Sequence, residues 1–315
     1  MGRLSEVLSV NGVSSVELLS RNGEVGTDFH AKISALNSHI RNVRQHVDAG
    51  GPNLVAWPLL GWWEMPLWRH PSHKTLIIMH DPAPLARQHG LSPLAAHTSA
   101  RLLGPKWPHL VTMSPEARSI AAKYFDSEQI HSAPHPMRAP GPRGPASLGR
   151  TVLVLGQCKP ARDLDVMAAI APALLAAGWS PTVAGRGWPP IPGWRVIDRF
   201  LIEGDFQKLL VSAAVVLLPY QHYFQSGVAL RALECGLPVV GRETGFLKSV
   251  LGPGFPGAVD DWDDPGSWLK AIEEATASRA EQLIAATAYS HRGAKEWLAL
   301  IEGPPANVIG RRLNE

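Results

Sequence analysis

The stretch Tyr223–Val240, YFQSGVALRALECGLPVV, has the composition of a phosphate-binding loop that leads into a helix and then a strand. Ser226 and Gly227 form a tight loop before an Ala- and Leu-rich helix, and Gly236 ends that helix. The first N–H groups of a helix have no partner inside it, and the helix dipole adds positive charge at the same end. We therefore expect these amides to bind an anion. The alternative is a plain helix-to-strand connection with Gly236 as the C-cap.

Polar side chains also follow two apolar segments of the chain. Lys159 and Arg162 come after Thr151–Leu155, and the pair His80-Asp81 comes directly after the apolar run TLIIM. If both segments are strands of parallel sheets, these residues lie at the carboxyl ends, where such sheets bind ligands. Two cations there suit a diphosphate, which a guanidinium can clamp with two hydrogen bonds. The alternative for Lys159 and Arg162 is that they are ordinary surface cations. The alternative for His80-Asp81 is that Asp81 caps the next turn and His80 packs beneath it.

Three other motifs have simpler explanations. Asp163 and Asp165 lie at a predicted helix start, where acidic residues are favoured, so we interpret them as capping residues. The acidic run at residues 260–264 precedes a proline and is typical of an N-cap region. His70 and His73 have loose metal-ligand spacing without a third partner, so we predict no metal site. The sequence also lacks the nucleophile elbow of hydrolases and the P-loop of NTPases.

Strands alternate with helical patterns on both sides of a Pro-, Gly- and Arg-rich run at residues 138–150. This alternation predicts parallel α/β units, and the run marks the boundary between two of them. We predict an α/β fold of two doubly wound, Rossmann-like domains that face each other across a cleft. The predicted strands are Val16–Ser20, Asn53–Trp57, Thr75–Met79, His109–Met113, Ile130–Ser132, Thr151–Leu155, Pro181–Ala184, Arg195–Asp198, Ala214–Leu218 and Pro238–Val240. The predicted helices begin and end near His30–Val47, Leu164–Ala177, Phe206–Ser212 and Pro265–Ala277.

The composition excludes several classes of protein. With 45% apolar and 18% charged residues in 315, the chain can bury a full core. No segment approaches the ~18 consecutive apolar residues of a membrane span, and we see no signal peptide. The two cysteines, Cys158 and Cys235, form no CxxC motif, so a cytoplasmic protein is the expectation. A net charge of +3, scattered along the chain, does not indicate nucleic-acid binding. Peripheral membrane association and a monomer or homodimer both stay open.

The four tryptophans between residues 57 and 68 indicate core packing, with a carbohydrate-binding aromatic surface as the alternative.

Four blocks of the sequence resemble the C-terminal half of GT-B glycosyltransferases. They are LVLGQCKPARDLDVM, TVAGRG, DRFLIEGDFQKLLVSAAVVLLPY and QSGVALRALECGLPVV. They are most similar to the large retaining family that uses nucleotide sugars. The N-terminal half is similar in outline, through a loop with Gly23 and Gly26, the segment HDPAP and the segment MSPEARSIAAKYF. The resemblance implies a GT-B fold with an acceptor domain at residues 1–140, a nucleotide-sugar domain at 141–287, and a closing helix at 288–315 that crosses back.

The resemblance also implies roles for individual residues. The donor diphosphate would be bound by Gln157, Lys159, Arg162, Ser226 and Gly227. The base and ribose would lie near Arg199, Phe200, Arg231 and Glu234, the sugar near Tyr220, His222, Tyr223 and Gln225, and the catalytic pair would be His80 and Asp81.

The chain departs from this family where the family carries two glutamates eight positions apart. Tyr223 and Arg231 occupy those positions here. A guanidinium can only donate hydrogen bonds, whereas a carboxylate accepts them from ribose hydroxyls. We consider three arrangements: a donor that is more anionic than usual, an Arg231–Glu234 salt bridge that rebuilds the site, or an Arg231 side chain that points away.

The expected activity is transfer of a hexose from a UDP or GDP sugar to an unidentified acceptor, with retention and without metal or cofactor. The departing diphosphate would be stabilised by cations and amides. One alternative is a degenerate relative that binds a nucleotide sugar, or serves as a partner subunit, without turnover. The other is a sugar-nucleotide epimerase, which can share this fold.

Overall fold

The computed structural model describes residues 29–49, 53–70, 74–83, 88, 90–104, 107–141 and 149–302. The strand predicted at residues 16–20, together with Gly23 and Gly26, lies outside the described residues. So does His73. The described residues form two parallel sheets, one on either side of residues 138–150.

The first sheet has four described strands in the order β1-β2-β3-β4, all parallel. The strands are β1 (Asn53–Val55), β2 (Thr75–Ile78), β3 (His109–Thr112) and β4 (Ile130–Ser132). The helices of this half are α1 (Phe29–Ala49), α2 (Glu64–Leu67), α3 (Pro93–Leu103) and α4 (Pro115–Ala121), with 3-10 turns at Gly61–Trp63 and Ser127–Gln129.

The second sheet has five parallel strands in the order β7-β6-β5-β8-β9. The strands are β5 (Thr151–Leu155), β6 (Ser180–Gly185), β7 (Arg195–Asp198), β8 (Val215–Leu218) and β9 (Val239–Gly241). The helices are α5 (Leu164–Ala176), α6 (Glu203–Ser212), α7 (Gly227–Glu234), α8 (Gly245–Leu251), α9 (Pro265–Ala277) and α10 (Arg279–Glu302). The chain reverses its winding direction between β5 and β8. In a doubly wound sheet this reversal opens a crevice at the carboxyl ends of those two strands.

The second sheet is buried on both faces, which explains its near-continuous apolar strands. Alternate residues of β5 face opposite sides, because side chains alternate across a strand. Leu153 and Leu155 belong to the core under α6, α7 and α8, whereas Val152 and Val154 belong to the core under α5 and α9. The strands predicted from the sequence in this half therefore form the central layer of a three-layer α/β domain.

Short polar side chains fix where the helices begin. The Asp163 carboxylate accepts a hydrogen bond from Val166 N at 3.1 Å at the start of α5, and Asp264 accepts from Gly266 N and Ser267 N at the start of α9. Both acidic motifs are thus N-caps, as the sequence indicates. Gly236 follows α7 with φ +71°, a left-handed conformation that glycine adopts without strain, and it ends that helix.

Helix α10 connects the two halves of the molecule. Trp297 is fully buried against β2 and β3 of the first sheet, and its indole Nε1 donates to Pro134 O at 2.7 Å. The Tyr289 hydroxyl accepts from His135 N at 2.7 Å, although Tyr289 packs in the core of the second sheet. One continuous helix therefore spans the predicted boundary at residues 287 and 288.

Candidate functional site

A cavity of about 1210 Å³ lies between the carboxyl ends of the two sheets. Five of the residues singled out in the sequence line it, namely His80, Gln225, Gly227, Arg231 and Glu234. Trp57, one of the four tryptophans for which an exposed aromatic surface was the alternative to core packing, also lines it. The lining further includes residues to which the sequence assigned no role, among them Arg138, Glu203 and Gln207. The cavity is thus formed jointly by β2, the connection between the sheets, and helices α6 and α7.

His80 is hydrogen bonded to both halves of the molecule. Its Nε2 lies 2.7 Å from Ala56 O, and its Nδ1 lies 2.6 Å from Gln225 Nε2. A carbonyl oxygen can only accept, so Nε2 carries the proton and Nδ1 accepts from the Gln225 amide. Burial lowers the pKa of His80, which favours this neutral form. The Trp57 ring, 61% exposed, lies 4.6 Å from the imidazole.

Asp81 caps a turn and also keeps a free acceptor. It accepts a hydrogen bond from the backbone of Ala83, and its Oδ1 is buried with no hydrogen-bond partner among the described residues. Burial raises the pKa of Asp81, while the Ala83 contact and the positive charge of Lys159 oppose that shift. Lys159 is exposed on the loop after β5, so it acts on Asp81 from the other half of the molecule.

Arg162 lies beneath the surface at the reversal point of the second sheet. Its Nη2 donates to Leu155 O at the end of β5, and its guanidinium lies 3.9 Å from the centroid of the Tyr220 ring and 5.3 Å from that of Trp188. Nε and Nη1 are buried and have no hydrogen-bond partner among the residues that the structure describes. Burial lowers the pKa of Arg162 from its usual high value, yet a guanidinium stays charged in proteins. Two donors of this buried cation thus lack a protein partner among the described residues, although Arg162 itself is not part of the lining of the cavity.

The first turn of α7 lies beside this cation. The Ser226 hydroxyl caps the helix by accepting from Ala229 N at 3.2 Å. Gly227 lines the cavity, and a side chain at that position would meet only open space. A Cβ on Gly156 would lie 3.3 Å from Arg162 Nη2 and 3.7 Å from the Val228 side chain, so the guanidinium and the helix start flank Gly156. This arrangement combines a cation with a helix N-terminus, the geometry that favours phosphate.

Two tyrosines follow β8 at the same sheet edge. The rings of Tyr220 and Tyr223 are 5.3 Å apart, and Tyr223 also meets Phe246 at 6.2 Å. The Tyr223 hydroxyl is buried and makes no well-aligned hydrogen bond with a described residue. Burial raises the pKa of Tyr223, and the nearby Thr244 side chain offsets only part of that rise. The Tyr223 hydroxyl therefore stays protonated and can both donate and accept a hydrogen bond.

A second contact across the cleft involves a residue that the sequence did not single out. Glu116, in the first turn of α4, accepts a hydrogen bond from Gly245 N at the start of α8, with Oε1 2.6 Å from the nitrogen. Its Oε2 is buried and unpartnered within the described part of the chain. Acidic residues are common in the first turn of a helix, so no local pattern sets Glu116 apart in the sequence.

The Arg231–Glu234 salt bridge, one of the three arrangements considered, is wrong. Arg231 instead forms a two-fold ion pair with Glu203 in the first turn of α6, with Nη1 3.2 Å from Oε2 and Nη2 against Oε1, and its guanidinium lies 4.9 Å from the Phe206 ring. Glu234 accepts from Arg138 N at 3.0 Å. The physical reason is that α6 places a carboxylate directly opposite Arg231, which no local spacing reveals. Arg231 does not point away either, because it lines the cavity.

Four other predicted site residues lie outside the lining of the cavity. Gln157 and His222 are exposed on loops of the second sheet. Arg199 pairs with Asp205 at 2.7 Å after β7, and Phe200 is 70% exposed. Both lie outside the described lining of the cavity, so their contact with a nucleotide base stays a prediction.

In the part of the chain that the structure describes, no group of three or more His, Cys, Asp or Glu side chains could hold a metal ion. No described helix is both long and apolar enough to span a membrane.

Sequence comparison gives a short local match. No family model matches the chain. The chain is 34% identical over 86 residues to a D-inositol 3-phosphate glycosyltransferase of Geodermatophilus obscurus. That match covers 27% of this chain and 19% of the relative, so the chain spans about a fifth of the length of the curated relative it matches.

Solved structures give matches over most of the chain. The molecule resembles HepE of Anabaena in complex with UDP and glucose, at TM-score 0.57 and 12% identity, over 94% of this chain and 89% of HepE. A UDP-forming α,α-trehalose-phosphate synthase of Burkholderia xenovorans matches at TM-score 0.60 and 12% identity, over 88% of this chain and 80% of the synthase. TarM, known from S. aureus, matches at TM-score 0.54 and 12% identity, over 74% of this chain and 51% of TarM. The chain has the GT-B fold. The predicted fold class is therefore confirmed.

Proposed function

We propose that this protein transfers a hexose from a nucleoside diphosphate sugar to an acceptor. The observation that carries the proposal is the environment of Arg162 at the reversal point of the second sheet. A buried guanidinium with two unpaired donors lies beside the first turn of α7, whose glycine faces the cavity. A diphosphate would satisfy both the guanidinium and the helix amides.

The neighbours support UDP as the nucleotide. HepE is described in complexes with UDP and glucose and with UDP-glucose, and the Burkholderia synthase is described as UDP-forming. The local match is named a glycosyltransferase. We therefore propose UDP-glucose as the first donor to test, with GDP sugars as the alternative.

The residues of the cleft fit the demands of such a transfer. As the bond between sugar and phosphate breaks, negative charge grows on the diphosphate, and Arg162 with the α7 amides would stabilise it without a metal. The cross-cleft hydrogen bond from Gln225 to His80 would hold the two halves closed and limit the access of water. In this proposal residues 1–140 bind the acceptor and residues 141–287 bind the donor. Retention of the anomeric configuration is proposed because the chain resembles the retaining family. The cytoplasmic location stays a prediction.

Buried polar atoms left unpaired at the carboxyl edges of the two sheets suit a polyhydroxylated ligand. Besides Arg162 and Tyr223, the buried acceptors Asp81 Oδ1 and Gln225 Oε1 have no partner among the described residues. Buried polar groups are nearly always hydrogen bonded in folded proteins, and each unpaired one is costly. Sugar hydroxyls can both donate and accept, so a bound hexose would satisfy this set.

One observation favours a second candidate, a nucleotide-sugar-binding protein without turnover. The carboxylates of the family's glutamate pair are replaced by Tyr223 and Arg231, and Arg231 is already paired with Glu203. Such a protein would bind UDP sugars through the same phosphate site without breaking the bond to the sugar.

A panel of nucleotide sugars separates the candidates. The purified protein is incubated with UDP-glucose, UDP-galactose, UDP-N-acetylglucosamine and GDP-mannose, with and without simple sugar acceptors. Release of UDP or GDP, followed by NMR of the anomeric proton, supports the transferase and reports retention or inversion. Binding without release supports the second candidate, and absence of both binding and release refutes the proposed function.

A further inference from the structure

The contact between Glu116 and α8 suggests a sugar-binding role for the first half of the molecule. The Glu116 carboxylate is fixed through Oε1 by the Gly245 amide at 2.6 Å. Only a glycine permits this approach, because a Cβ at residue 245 would lie 2.5 Å from Oε1 and 2.7 Å from Oε2. The side chain is thus held across the cleft with one acceptor oxygen unused.

The unused oxygen shares its surroundings with another unpaired group. The Tyr223 ring lies 6.2 Å from that of Phe246, the residue directly after Gly245, so the phenol is on the same side of α8 as the carboxylate held by the Gly245 amide. The negative charge of Glu116 accordingly contributes to the raised pKa of Tyr223. Neither Glu116 Oε2 nor the Tyr223 hydroxyl has a hydrogen-bond partner of good geometry among the described residues. One group is a pure acceptor, and the other can donate or accept. A ligand hydroxyl is the simplest group that can donate to the first and pair with the second.

The position relative to the phosphate site indicates which part of a donor would reach this pair. Tyr223 lies in the connection between β8 and α7, a few residues before Gly227 in the proposed diphosphate site. Glu116 comes from the opposite half. A sugar attached to the phosphate, and directed from the second sheet towards the first, would pass between them.

We infer that Glu116, together with Tyr223, binds a hydroxyl of the transferred sugar and selects a neutral hexose over a uronate. The inference rests on the proposed function. The selection follows from charge, because a sugar carboxylate would be repelled by a carboxylate fixed in a buried site. The half of the molecule proposed to bind the acceptor would then also contact the donor sugar, and only while the cleft is closed.

The test compares the affinities of UDP and UDP-glucose in matched variants. Glu116→Gln keeps an oxygen for the Gly245 amide and replaces the charged acceptor with an amide. Gly245→Ala keeps the charge but displaces the carboxylate. Glu128→Gln, an exposed glutamate of the 3-10 turn before β4, is the control. We expect the ratio of the UDP to the UDP-glucose dissociation constant to fall about tenfold in Glu116→Gln and Gly245→Ala, as for one charge-assisted hydrogen bond. The UDP constant itself should change less than twofold, and the control should match the wild type.

The outcomes separate the inference from the proposed function. Wild-type protein that binds neither UDP nor UDP-glucose refutes the proposed function, and the inference with it. Wild-type protein that binds both, with the same ratio in Glu116→Gln and Gly245→Ala, overturns the inference alone. UDP-glucuronate that binds wild-type protein as tightly as UDP-glucose also overturns it.

Discussion

Replacement of Arg162 is the most informative perturbation of the proposed diphosphate site. Arg162→Ala removes two buried donors that have no partner among the described residues. A hydrogen bond to a charged group contributes ~1.5–3 kcal/mol, and each ~1.4 kcal/mol is a factor of ten. The loss of one such bond to a phosphate oxygen therefore weakens UDP binding about ten- to a hundredfold. Arg162→Lys retains the charge without the planar fork, so we expect an intermediate loss.

The assay is isothermal titration of UDP into the wild type and each variant, with thermal unfolding to confirm that the variants are folded. Arg150→Ala is the matched control, because Arg150 also stacks on a tryptophan of the second domain, 4.3 Å from the Trp179 ring, yet lies at the start of β5. Its UDP affinity should equal that of the wild type. A folded Arg162→Ala variant with UDP affinity within twofold of the wild type would refute the assigned role of this cation.

Three further predictions concern stability and the cleft. Trp297→Ala should lower the free energy of unfolding by ~3–5 kcal/mol in urea, because the side chain is fully buried; a loss below ~1 kcal/mol would contradict this. Burial and the neighbouring charges of His131 and Lys74 lower the pKa of His109 to about 4. Neutral His109 therefore stabilises the fold above pH ~6.5, and this stability is lost as the pH falls towards 4. The free energy of unfolding in urea should be lower at pH 5.0 than at pH 7.5, and this difference should be smaller in His109→Gln. The same difference in the wild type and the variant would contradict the prediction. Arg231→Glu places a second carboxylate against that of Glu203, so the affinity for UDP should fall several-fold and recover when Glu203→Arg is added. Wild-type affinity in the single variant would show that Arg231 has no role in UDP binding.

The second sheet could be predicted from the sequence because its strands carry strong local signals. The predicted bounds of Thr151–Leu155 and Arg195–Asp198 agree with β5 and β7, and those of Pro265–Ala277 agree with α9. Buried parallel strands are continuous apolar runs, and the Asp-Pro pair before α9 marks an N-cap. In the first sheet, the predicted Ile130–Ser132 agrees with β4, and the remaining predicted strands within the described residues differ by one or two residues at their ends, where hydrogen bonding frays.

The sequence was less informative where a feature depends on contacts between distant elements. Helices α3, α4 and α8 were not predicted, and α4 and α8 span only seven residues each, too few for a clear apolar period. Glu116 and Gly245 are 129 positions apart, so only the tertiary structure brings them together. The partner of Arg231 was misassigned for the same reason, because its ion pair joins two helices.

The cleft is proposed to bind a nucleoside diphosphate against the second sheet. A crystal structure of the protein with UDP tests this most directly. We predict density for the diphosphate between Arg162 and the first turn of α7, with Gly156 beneath it. Density for UDP only against the strands of the first sheet, or no density at millimolar UDP, would contradict the account.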